Sequence, residues 1–116
     1  MGAARFSVGY DEAQDPLVLA LDVGSTGTRG GLYDASGVPI RGSKTKIEHA
    51  FTTVADGTST IDPDQVAGEI AQCIDHLAGL GRRPIAAVAL DTFASSLVGA
   101  DADGRAIAAI DDRVRL

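Results

Sequence analysis

The stretch Leu17–Asp34 reads LVLALDVGSTGTRGGLYD, and its pattern decides the fold. It opens with the continuous apolar run LVLAL (Leu17–Leu21), the pattern of a strand buried on both faces. Val23-Gly24-Ser25-Thr26-Gly27 is turn chemistry, because glycine takes backbone conformations that a Cβ would oppose. Thr28–Tyr33 returns as a second strand, weakened by Gly30 and Gly31 at roughly 0.5–1 kcal/mol each relative to Ala. Two strands joined by so short a turn are antiparallel neighbours.

Working outward, Asp34-Ala35-Ser36-Gly37 forms a second turn, and Val38–Ile47 reads as a third, more exposed strand. Ala50–Thr60 is a Thr-, Gly- and Ala-rich loop with no assigned path. A helix follows. Asp62 is its N-cap, Pro63 its first residue, and Gln65 stands at the capping-box position. Val66, Ile70, Cys73, Ile74 and Leu77 recur every three or four residues as one apolar stripe, and Gly79 and Gly81 supply the stop. Ile85–Leu90 (IAAVAL) is another buried strand. Leu97–Ala100 and Ala106–Ile110 flank the turn Asp101-Ala102-Asp103-Gly104 as a hairpin.

The order is therefore β-β-β-α-β plus a C-terminal hairpin. A helix that crosses over the sheet lets the fourth strand lie parallel to the first, beside it. This α/β arrangement predicts a ribonuclease H-like core, the core of actin-like ATPases. Residues 1–16 are polar and aperiodic and read as a flexible leader; 17–116 form the folded part.

Composition narrows the function classes. The chain has 116 residues, enough for one core burying roughly 65% of the unfolded surface. Aromatic residues make up only 4%, so Val, Leu, Ile and Ala must build that core. Ten Lys and Arg against 16 Asp and Glu give a net charge of -6, which argues against nucleic-acid binding. A single cysteine, Cys73, excludes an intrachain disulfide, and metal-ligand spacing is absent. No apolar segment opens the chain, and none reaches the ~20 residues of a membrane span. No membrane partner is expected, and the default location is the cytoplasm.

The first turn carries the chemistry. Asp22 stands at the carboxyl end of a buried strand, the edge where α/β sheets place their ligands. Gly24 and Gly27 let backbone N–H groups approach an anion, and Ser25, Thr26 and Thr28 add hydroxyls. Arg29 adds forked donors and a permanent charge. Asp22 would repel phosphate unless a cation lay between them, which implies Mg²⁺ with waters retained. No Lys follows the glycines, and GxGxxG is absent, so neither a P-loop nor a Rossmann site is expected. The competing interpretation is a plain polar hairpin turn.

LALDVGSTGTRGGLYDASGVPI resembles the opening of the FGGY carbohydrate kinases, with D-x-G-[ST]-[ST]-x-x-[RK] met by Asp22, Gly24, Ser25, Thr26 and Arg29. IDPDQVAGEIAQCIDHLAG is similar to that family's first long helix, and IAAVALDTFASSLVGADADGRAI to its next strand and hairpin. IDDR resembles a W-x-D-x-R element through Asp111 and Arg113, with Ala109 where the family has Trp. The resemblance implies the N-terminal portion of kinase domain I, transferring the γ-phosphoryl group of ATP to a sugar, sugar acid or polyol hydroxyl. It implies that Gly24, Ser25, Thr26 and Arg29 hold phosphates and that Asp22 holds Mg²⁺ through water. Thr92–Ser96 would lie on the sugar side, with Ser95, Ser96, Asp111 and Arg113 as substrate contacts. The family's catalytic Asp and adenine-binding segment lie beyond Leu116. The 116-residue chain alone is thus expected to be inactive, and its uncovered apolar faces make self-association an expectation.

The alternatives are a piece of another actin-like ATPase, Hsp70-like or BadF-like, and a non-enzymatic remnant. Of the remaining residues, His49 and His76 read as surface or helix-face residues. Cys73 reads as core filler, and Asp101 and Asp103 as turn formers. Asp91 follows a buried strand, but the family has no carboxylate there, so it is given no role.

Overall fold

The computed structural model describes residues 6–81, 83–94 and 96–111. The hairpin forms as its sequence requires: β1 (Leu17–Gly24) and β2 (Gly27–Tyr33) pair antiparallel, with Gly24 opposite Gly27 and only Ser25-Thr26 between them. β3 (Thr45–Glu48) extends the sheet antiparallel to β2. After the short strands β4 (Thr52–Thr53) and β5 (Ser59–Ile61) comes the helix α1 (Pro63–Gly81). It leads into β6 (Ile85–Asp91), which lies parallel to β1. The main sheet has the order β3-β2-β1-β6, so the strand after the helix does lie beside the first.

One face of this sheet is covered by α1. Leu17, Leu19 and Leu21 alternate inward along β1 and meet Leu32, Cys73 and Leu77 in one buried cluster. Gly30 makes this close contact possible. A Cβ at that position would lie 2.8 Å from Leu21 Cδ2 and 2.8 Å from Leu77 Cδ1, so its bareness lets helix and sheet close together. The weakening expected from the sequence is thus set against tighter packing. Gly27 is constrained by backbone: its Cβ would stand 2.7 Å from the Ile47 carbonyl of β3.

The helix begins where expected. Asp62 caps it through Oδ1, which accepts the Asp64 N–H at 2.9 Å. Gln65 does something else: its amide donates along the helix to Glu69 Oε1 at 3.2 Å. The expected long third strand is broken in two: Pro39 bridges Tyr33 antiparallel, Gly42 turns the chain at φ 80, and Thr45–Glu48 then pairs with β2. The Ala50–Thr60 loop contains β4 and the start of β5. β5 pairs with both β4 and β7 (Ile110–Asp111) in a second sheet of order β4-β5-β7. A smaller core of Val23, Ile61, Val66 and Ile110 sits between that sheet and the hairpin. The C-terminal hairpin turn is present: Ala100 bridges Ala106, and Asp101 Oδ1 accepts the N–H groups of Asp103 and Arg105.

Within the segment expected to be a flexible leader, Val8 and Ala13 are buried in the main cluster. Arg83 gathers this segment, donating to Asp15 Oδ1 at 2.8 Å, to Tyr10 O at 2.6 Å and to Ala13 O. Asp34, at the end of β2, is also buried. Its carboxylate accepts the N–H groups of Gln14, Ser36 and Val38 and the Ser36 hydroxyl.

Candidate functional site

The sheet register lines charged side chains along one edge. Asp22 stands opposite Arg29 on β2, Arg29 opposite Lys46 on β3, and Asp22 beside Asp91 on β6. Registered neighbours project from the same face of a sheet. The row Lys46–Arg29–Asp22–Asp91 therefore crosses all four strands, two cations followed by two anions. Asp22, Arg29, Lys46 and Asp91 all line an open cleft of about 630 Å³ on this face, with Lys44 beside them. Asp22 and Asp91 stand at the carboxyl ends of two parallel strands, where α/β sheets present ligand-binding groups.

Asp91 is the residue the sequence reading set aside. Hydrogen bonding with Asp22 holds its carboxyl above the usual carboxylate range, with desolvation and the Asp22 charge adding to the effect. Because the folded chain binds this proton more tightly than the unfolded chain, the pair favours folding when Asp91 is protonated. That contribution is lost as pH rises through the raised carboxylate range. Asp34 acts in the opposite sense. Its hydrogen bond from Ser36 outweighs desolvation and, with those from Gln14, Val38 and the Ser36 amide, lowers its value, so its contribution is lost in acid. Asp91→Asn is expected to raise the melting temperature at neutral pH and to flatten its decline from mildly acidic to neutral pH. Thermal melts of both chains across that range check this, since Asp34 is common to both; parallel curves would contradict it.

Of the expected phosphate residues, Ser25 and Thr26 are exposed at the turn, and Arg29 is exposed on β2. Gly24 precedes the turn with its carbonyl turned inward to His49 Nε2, 2.7 Å away. Thr28 is corrected: it is fully buried, and its hydroxyl donates to Glu69 Oε2 at 3.1 Å, so it faces away from any ligand. Ser96 is half-buried after β6 and is not among the residues lining the cleft. Asp111 lies in β7, its backbone paired with Thr60 of the second sheet. Ser95 and Arg113 fall outside the described residues.

Two further residues escaped the sequence reading. The side chain of His49 is excluded from solvent, correcting its expected surface position, and Nδ1 lies 2.7 Å from Glu69 Oε2. Nothing in the spacing of His49 and Glu69 marks them as partners; only the docking of α1 on the hairpin joins them. Cys73 is buried as expected, and burial together with the Glu69 charge pushes its thiol up, away from the reactive thiolate. Among the described residues no cluster of three metal-ligating side chains occurs, and no helix is long and apolar enough to cross a membrane.

No family model and no curated relative matches the chain. Solved structures do. A ligand-bound xylulose kinase from Lactobacillus acidophilus is similar at TM-score 0.74 and 23% identity, over 82% of this chain and 19% of its own. A gluconate kinase from the same organism gives 0.72 and 23%, over 83% and 20%. Plasmodium falciparum glycerol kinase with ADP gives 0.66 and 11%, over 90% and 20%. The chain thus spans about a fifth of the length of these kinases. At such identities the likeness establishes the fold: the chain is folded like part of the solved sugar and glycerol kinases.

Proposed function

We propose that the chain is part of an ATP-dependent carbohydrate kinase of the FGGY type, in which the β1–β2 turn holds the phosphates of the nucleotide. The observation that carries this reading is the Asp22–Arg29 cross-strand pair bracketing the exposed Ser25-Thr26 turn at the carboxyl end of the parallel strands. The fold shared with solved sugar and glycerol kinases supports it.

The chain's own groups divide the work by chemistry. Arg29 offers forked donors to phosphate oxygens, and the Ser25 and Thr26 hydroxyls with the turn amides add neutral ones. Asp22, with Asp91 beside it, offers hard carboxylate oxygens whose mutual repulsion a divalent cation relieves, and this fits Mg²⁺ held partly through water. Magnesium bound there would neutralise phosphate charge during transfer of the γ-phosphoryl group. The segment after β6 is assigned to the acceptor side, where a hydroxyl of a sugar, sugar acid or polyol would be placed. The isolated chain is proposed to lack sugar-kinase activity.

Thermal-shift titration tests this reading. Mg-ATP should raise the melting temperature of the chain, and Thr26→Ala or Arg29→Ala should abolish the rise. Equal stabilisation of all three proteins, or none of any, would overturn it. Sugar-dependent ADP release by the isolated chain, abolished by Asp22→Ala, would contradict the proposed inactivity.

A further inference from the structure

Behind the turn lies a buried polar cluster for which the proposed chemistry has no use. His49 is enclosed by two rings, Phe51 at 6.4 Å and Phe93 at 6.5 Å between centroids, which also pack edge to face on each other at 5.5 Å. Its Nε2 lies 2.7 Å from the Gly24 carbonyl oxygen. A carbonyl only accepts, so Nε2 carries a proton. Its Nδ1 lies 2.7 Å from Glu69 Oε2. Glu69 also accepts from the Thr28 hydroxyl at 3.1 Å and the Gln65 amide at 3.2 Å. Both ring nitrogens are therefore engaged, Nε2 with the Gly24 carbonyl and Nδ1 with the Glu69 carboxyl group.

The groups facing this ring are few. Helix α1 contributes the Glu69 carboxylate, the hairpin contributes the Gly24 carbonyl, and the segments around Phe51 and Phe93 contribute apolar rings. The backbone of His49 acts on the same turn, since its N–H donates to the Thr26 carbonyl at 3.1 Å. One residue thus fixes carbonyls on both sides of Ser25. A trans peptide is planar, so its carbonyl and the following N–H point in opposite directions. With the Gly24 oxygen held on His49, the Ser25 N–H is directed away from the buried cluster, to the exposed side of the turn.

We infer that His49 is a positioning residue of the phosphate turn: clamped to Glu69, it orients the Gly24–Ser25 peptide so that the Ser25 N–H is presented to a bound phosphate. The inference rests on the phosphate reading of the hairpin given above. It adds a mechanical link, because the position of α1 along the sheet sets the attitude of the turn.

The test uses the whole 116-residue chain labelled with ¹⁵N and Mg-ADP as probe. The ring spectrum of His49 should show a proton on Nε2, the nitrogen that faces the Gly24 carbonyl. His49→Phe, checked for a dispersed amide spectrum, should bind Mg-ADP about tenfold more weakly, and its Ser25 amide should no longer shift on titration. His49→Gln, which keeps one donor for Gly24, should recover part of both. Where His49→Phe does not fold, His49→Phe/Glu69→Gln, which removes the buried charge left behind, replaces it.

Binding by His49→Phe within about twofold of the parent, with the Ser25 shift intact, would overturn the inference and leave the phosphate reading standing. An Nε2 without a proton would also overturn it. Absence of Mg-ADP binding by the parent chain would remove the phosphate reading and this inference with it.

Discussion

Replacing Glu69 by alanine is expected to lower the unfolding free energy by about 3–5 kcal/mol, because it strands the buried Thr28 hydroxyl and His49 ring at about 1–3 kcal/mol each. Glu69 is nearly solvent-excluded and takes hydrogen bonds from His49, Thr28 and Gln65. Its removal leaves the His49 N–H without an acceptor in a pocket closed by Phe51 and Phe93. Domains of this size are stable by about 5–15 kcal/mol in total, so the loss is a large fraction of the whole. Urea denaturation at neutral pH checks this, with Glu69→Gln losing less because an acceptor oxygen remains. A loss of about 1 kcal/mol or less would mean that the pair behaves as an exposed one.

The second large effect is expected at Leu77. This residue is fully buried at the contact of α1 with the main sheet, among Leu17, Leu19, Leu21 and Leu32. Leu77→Ala removes the packing of the helix against Gly30 and leaves a cavity, at a cost of about 2–5 kcal/mol. The close approach makes a double-mutant cycle informative. Gly30→Ala alone places a methyl 2.8 Å from both Leu77 Cδ1 and Leu21 Cδ2, whereas in the Leu77→Ala background only the Leu21 contact remains. The double variant should therefore be more stable than the sum of the single losses predicts, by about 0.5–3 kcal/mol. Strict additivity in denaturant melts would show that the two residues do not meet.

Elements with a local signal were legible in the sequence. The apolar run Leu17–Leu21 and the glycines bracketing Ser25-Thr26 specified the hairpin, and Asp62-Pro63 with its apolar stripe specified α1. The crossover through α1 then placed β6 parallel to β1 and beside it. What escaped had no such signal. β7 contributes two residues paired with β5 far earlier in the chain, a pairing that leaves no periodicity to read. The break at Gly42 carries no local signal that separates it from a glycine within a strand, because its positive φ is a property of the fold.

The site divides the same way. Asp22, Ser25, Thr26 and Arg29 were visible because the turn gathers them in sequence. Asp91 was set aside because family resemblance offered it no counterpart; strand register returned it to Asp22. Thr28 reads as one more hydroxyl in the motif, yet strand alternation turns it under the sheet onto Glu69. His49 and Glu69 are brought together only by packing of the helix.

The central claim, that the turn between Gly24 and Gly27 binds nucleotide phosphate, is tested most directly by amide-shift mapping of the ¹⁵N-labelled chain during titration with Mg-ADP. The account predicts saturable shifts concentrated at Ser25, Thr26, Gly27 and Arg29, with Asp22 and Asp91 responding to magnesium and none of these turn shifts in Arg29→Ala. Shifts confined to other parts of the chain, or a turn that responds equally in Arg29→Ala, would contradict it.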